Sequence, residues 1–156
     1  MSLRILGLSV EPFRHLFGMN DADMVHHRAR RVVADACPGF PDRIELRDAE
    51  PGESLLLVNH VHLPADNPYQ ASHAIFVREG AGQTYDCIGE IPQMLRTRLI
   101  SLRAFDAEDT ILDADVIDGS QLGNAITRFL DVGQTAYLHA HFAKRGCYAA
   151  RIERAP

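Results

Sequence analysis

Apolar residues recur at Leu122, Ala125, Ile126, Phe129 and Leu130, and this spacing of three and four predicts one amphipathic helix over residues 121–132. Ser120 stands where a cap belongs and Gly133 where the helix should stop. Elsewhere the apolar residues alternate with polar ones, the period of a strand. That pattern predicts strands at 4–10, 29–34, 43–46, 55–61, 72–77, 98–105 and 110–118, then a last hairpin over 136–152. Short helical turns are expected at 13–17, before Gly18, and at 91–95, opened by Pro92. Asn20 reads as the N-cap of another short helix, with Asp21 and Asp23 in its first turn, where carboxylates suit the dipole. The expected fold is a single α+β domain over 1–156. It is mainly antiparallel β-sheet, with one substantial helix packed on it and short helical turns near the N-terminus.

Face patterns also restrict how strands pair. Matching the apolar face Ile100, Leu102 and Ala104 to Leu112, Ala114 and Val116 places Arg103 opposite Asp113, as a surface ion pair. Matching Ala136, Leu138, Ala140 and Phe142 to Tyr148, Ala150 and Ile152 pairs Phe142 with Tyr148 and His139 with Arg151. Gly146 then falls at the left-handed position of the hairpin loop.

Composition narrows the function classes. A net charge of -5 with scattered arginines offers no basic face for nucleic acid. Apolar runs are too short to span a bilayer, and the first ten residues are too weakly apolar for a signal peptide. A cytoplasmic location, with no membrane partner, is the expectation; a homo-oligomer is compatible with it. Three cysteines, Cys37, Cys87 and Cys147, lack a C-x-x-C pair and read as packed thiols, with Cys37 the most exposed. Neither a G-x-S-x-G nucleophile motif nor a dinucleotide fingerprint occurs. Residues 20–23 lack the glycine and final glutamate of a calcium loop, and Gly80 to Gly82 lack phosphate-loop spacing.

What stands out is histidine. His60 and His62 form one His-x-His strand, His139 and His141 a second, and His73 lies on the strand after the first. Alternation puts each pair on one face, so the two strands could converge on one pocket. Asp66 and Tyr69 sit on the Pro-punctuated loop over 63–70, positioned to cover it. The candidate ligand-binding residues are therefore His62, His73, Tyr137, His139, His141 and Arg151, with Asp66 and Tyr69 from the loop.

The stretches Cys37-Pro-Gly-Phe-Pro41 and Asn59 to Glu79, together with the ending from His139 through Gly146-Cys147-Tyr148-Ala149-Ala150-Arg151, resemble a bacterial family catalogued as domain of unknown function 1203. The resemblance covers nearly the whole chain. It implies a bacterial origin and a self-contained domain, and it carries over no activity, substrate or catalytic residue.

Three readings follow. Arg151 forms paired hydrogen bonds to carboxylate or phosphate, so with Tyr137, His139 and His141 it suits an anionic small molecule, and a neutral histidine would serve as general base. The alternative is a zinc or iron enzyme with His60, His62, His73, His139 and His141 as ligands of a divalent transition metal. Its weakness is Arg151 opposite His139, a cation beside a bound dication. The third is a non-catalytic interaction domain that uses an exposed edge strand such as that of Ile152.

Overall fold

The computed structural model describes residues 2–156 and contains two antiparallel sheets. In chain order the strands are β1 (Leu3–Leu6), β2 (Arg30–Val33), β3 (Ser54–Leu63), β4 (Ala71–Arg78), β5 (Asp86–Ile88), β6 (Leu99–Phe105), β7 (Ile111–Asp118), β8 (Tyr137–Phe142) and β9 (Tyr148–Arg154). The helices are α1 (Asp21–Val25), α2 (Gln93–Arg96) and α3 (Leu122–Leu130), with tighter turns at Arg14–Leu16 and Gly119–Gln121. The larger sheet runs β5-β1-β9-β8-β6-β7 and the smaller one β2-β3-β4. This is the expected α+β class.

One continuous core joins the two sheets. Leu56, Val58, Ile75 and Val77 of the small sheet pack in the same cluster as Ile100, Leu102, Leu138 and Ile152 of the large one. Leu122, Ile126 and Phe129 of α3 complete it. Each such side chain, fully buried, stabilises the fold by about 1.5–3 kcal/mol relative to exposure.

The helix starts differently from its predicted cap. Asp118, not Ser120, accepts the backbone N–H of Ser120 at 2.9 Å and its hydroxyl at 2.7 Å. An aspartate accepts two such bonds at once, and the chain tightens through Gly119–Gln121 before α3 begins. Gly119 is wedged there: an added Cβ would lie 2.0 Å from the Leu95 carbonyl oxygen and 2.6 Å from that of Arg98. Gly119→Ala is expected to destabilise the fold by about 3 kcal/mol, read as a lower denaturant midpoint. A midpoint equal to wild type would contradict that tight packing.

Several expectations are corrected. Residues 43–46 form no strand; they make a buried bend held by Asp42, whose carboxylate accepts the N–H groups of Ile44, Glu45 and Arg78. A side chain that satisfies three backbone donors replaces the strand ladder locally. The first strand ends at Leu6 rather than residue 10, and β5, which pairs with it, escaped the sequence pattern because it is only three residues long. Ile152 lies on β9 between β1 and β8 and is fully buried, so its strand is not an edge.

The β6–β7 register is shifted by one from the predicted one. Arg103 faces Ala114, and Ile100, Leu102 and Ala104 face Ile117, Asp115 and Asp113. The acidic side of β7 therefore turns toward α3, where Asp115 pairs with Arg128 at 2.7 Å, and Val116 points outward at 58% exposure. The helix, which covers that face, supplies the counter-charge that the two-strand reading assigned to Arg103. The β8–β9 register begins as expected, Leu138 to Ile152 and His139 to Arg151, but then shifts so that His141 faces Tyr148. Gly146 does adopt the left-handed conformation, φ 79°. The extra residue, Ala149, is a bulge, and a bulge flips the side chain beyond it to the opposite face.

Candidate functional site

The consequence is that Tyr148 leaves the predicted Phe142 face and joins the histidines. All six residues of β8 are buried, and its odd-numbered face carries Tyr137, His139 and His141. Alternation keeps His62 of β3 on the same side as His60, over this face, and the β3–β4 register shifts there, between Val61 and Leu63. The His62 ring lies 4.9 Å from that of His141 and 6.1 Å from that of His139, and it stacks on Tyr148 at 5.4 Å and 10°. Both His-x-His strands thus meet across the gap between the sheets. His60 takes part at one remove, 6.1 Å from the Tyr148 ring, and His73 sits directly opposite His60 on β4.

Two arginines flank the centre. His139 pairs with Arg103 of β6 on one side and Arg151 of β9 on the other. Arg151 lays its guanidinium over the Tyr137 ring at 3.9 Å and donates through Nε to Glu153 at 3.2 Å. Arg103 is half-buried and donates through Nε to the Ser101 hydroxyl at 3.3 Å. It makes no ion pair among the described residues, and its own charge is disfavoured by desolvation. Sequence reasoning missed Arg103 because the misread register gave it Asp113 as a partner. A signal was present, since Arg103 alternates away from Ile100, Leu102 and Ala104 and so must share a face with whatever covers them from the other side.

The imidazoles are neutral. Burial drives His139 down to about 2, with His141, His62, Arg151 and Arg103 all adding in the same direction. His141 falls to about 3 and His62 to about 4, again through desolvation first. The Gly146 carbonyl lies 3.0 Å from Nδ1 of His141 and can only accept, so that nitrogen carries the proton and Nε2 keeps its lone pair. Nε2 of His141 and the Nδ1 atoms of His62 and His139 are buried with no hydrogen-bond partner. Buried polar atoms are normally paired, and three orphans in one cluster are unusual.

The loop candidates are not brought in. Asp66 and Tyr69 are exposed, and Asn67 of their loop donates to the carbonyls of Glu108 and Asp109, beside Tyr137. Tyr137 faces the site with its ring, but its hydroxyl donates to Asp109. Among the described residues no group of three or more His, Cys, Asp or Glu side chains is arranged to hold a metal ion.

A family model described as a protein of unknown function (DUF1203) matches residues 39–154, which takes in both His-x-His strands and both flanking arginines. The chain belongs to the DUF1203 family. Nothing among the curated proteins or the solved structures matches it. For this DUF1203 chain, then, function has to be argued from the side chains themselves. Among the described residues no helix is long and apolar enough to cross a membrane.

Proposed function

We propose that this sheet face binds a small anionic molecule, with Arg103 and Arg151 as its charged contacts and the His62–His139–His141 cluster as its floor. The observation that carries the reading is Arg103, a half-buried guanidinium without a carboxylate partner among the described residues. A desolvated cation left unpaired is costly, and an anionic ligand offsets that cost. Arg151 has only its Nε committed to Glu153, so its terminal nitrogens can reach the same ligand. The neutral imidazoles add donors and acceptors without adding repulsion or a competing charge.

A bound anion also changes the histidines. Negative charge beside His62, held down partly by Arg103, moves its pKa up from about 4, so binding takes up protons and tightens as pH falls. Where it stays neutral, His62 is the most basic of the three imidazoles and the one placed to accept a proton from the ligand, the general-base form of the proposal.

Thermal stabilisation by inorganic phosphate and by succinate tests this. Wild type is expected to be stabilised, and Arg103→Ala or Arg151→Ala to bind about ten- to hundredfold more weakly, the loss of a charge-assisted hydrogen bond. No response to any carboxylate or phosphate, or an unchanged response in both variants, would sink the proposal. Elemental analysis of untagged protein belongs beside it: near-stoichiometric zinc or iron, lost in His139→Ala and His141→Ala, would replace the anion reading with the metal one.

A further inference from the structure

A cleft of about 420 Å³ opens beside the tip of the β8–β9 hairpin, within the range of small-molecule sites. Its apolar walls are Phe40, Phe76, Leu99 and Phe142. It also carries four cations, Arg43, Arg98, Lys144 and Arg145, and no acidic residue lines it. In a protein of net charge -5 that concentration of positive charge is a local exception.

Two of these charges, Lys144 and Arg145, are unbalanced among the described residues, while Arg43 has the Asp42 carboxyl beside it in the chain. Arg98 is neutralised by Asp48 at 2.6 Å. Arg43, 1% exposed, spends its donors on the carbonyls of Pro41 and Tyr148 and on Sγ of Cys147, none of them a carboxylate. Lys144 and Arg145 are exposed at the mouth and form no ion pair among the described residues. The wall opposite them is aromatic, with the Phe40 and Phe76 rings 5.4 Å apart and tilted. Both guanidiniums, Arg43 and Arg98, lie about 5 Å from the Phe142 ring centroid, so that ring is already engaged and Phe40, Phe76 and Leu99 are the surface left for a ligand.

We infer that this cleft is a second binding site, for a planar aromatic carboxylate whose ring packs on Phe40, Phe76 and Leu99 and whose charge meets Lys144 and Arg145. It is separate from the histidine face, because Phe142 and His141 point to opposite sides of β8. Its occupant need not be the ligand of that face.

The test uses naphthaleneacetate and its neutral amide in calorimetric titrations. The acid is expected to bind with one site per chain and the amide about tenfold more weakly or worse. Lys144→Glu with Arg145→Glu should weaken the acid by at least about tenfold while circular dichroism stays native, since both side chains are exposed. Arg103→Ala should leave it unchanged. The inference is overturned if wild type shows no saturable binding, if acid and amide bind alike, or if Arg103→Ala abolishes binding. That last result would move the ligand to the histidine face, so the two sites fail separately.

Discussion

Between pH 6.5 and 4.5 the protein is expected to lose stability steeply, because four histidines, His60, His62, His139 and His141, that are ordinary in the unfolded chain resist protonation in the folded one. The folded values lie at about 4 for His62, about 3 for His141 and about 2 for His139, all below the ordinary 6.5. Below 6.5 the unfolded chain therefore binds more protons than the native one, and stability falls as pH falls. It keeps falling until each folded value is passed. Each histidine contributes a slope of up to about 1.4 kcal/mol per pH unit. Half-exposed His62 contributes less than the two buried ones.

Apart from Asp42, which burial pushes up and which therefore works against the histidines, the shifted carboxylates titrate below that window. Glu53 and Glu79, held down to about 2 chiefly by hydrogen bonds from Arg47 and Arg31, begin to cost stability only below their ordinary 4.5. Urea midpoints from about pH 7 to about pH 5 measure chiefly the histidine part. His139→Phe keeps the ring volume and removes one titrating group, so it should flatten the slope by up to about 1.4 kcal/mol per pH unit. A midpoint that does not move over that range would show that the cluster is solvated or already protonated.

Arg43→Ala is expected to cost about 3–5 kcal/mol, among the largest single-residue losses in the chain. The guanidinium is fully buried and ties three places together: the Pro41 carbonyl, the Tyr148 carbonyl and Sγ of Cys147. Truncation leaves two buried acceptors unpaired and a cavity beside Phe142. Arg43→Met restores volume but not the donors, and should recover only part of the loss. The chain has no tryptophan, so circular dichroism is the readout. Because Arg43 grips the carbonyl of Tyr148 at the bulge, the variant should also loosen the stack of Tyr148 on His62 and weaken the response to phosphate. Stability within about 1 kcal/mol of wild type would mean that the buried network contributes little.

The elements themselves were legible. The helical stripe from Leu122 to Leu130, the cap at Asn20 and the alternation in β3, β4, β6 and β8 all express local periodicity, which a chain carries without reference to its neighbours. Even the convergence of the two His-x-His strands could be anticipated, since each pair was bound to share a face. Pairing was harder. In β6–β7 the Leu112, Ala114 and Val116 face looked like the buried one, yet an edge strand tolerates apolar residues outside when a helix carrying Arg128 covers its acidic side.

By itself the sequence determined the α+β class, the strand and helix positions within a few residues, and the faces on which the histidines lie. Tertiary structure alone decided which residues those histidines meet. A bulge at Ala149 brings Tyr148 onto the His139 face, and a bulge is one extra residue that leaves composition and period almost untouched. Arg103 became a site residue only because β6 pairs with β8, a partner 36 positions away in the register Arg103 to His139. The neutrality of the imidazoles likewise depends on burial between two sheets, because desolvation is a property of what surrounds a side chain and not of the side chain itself.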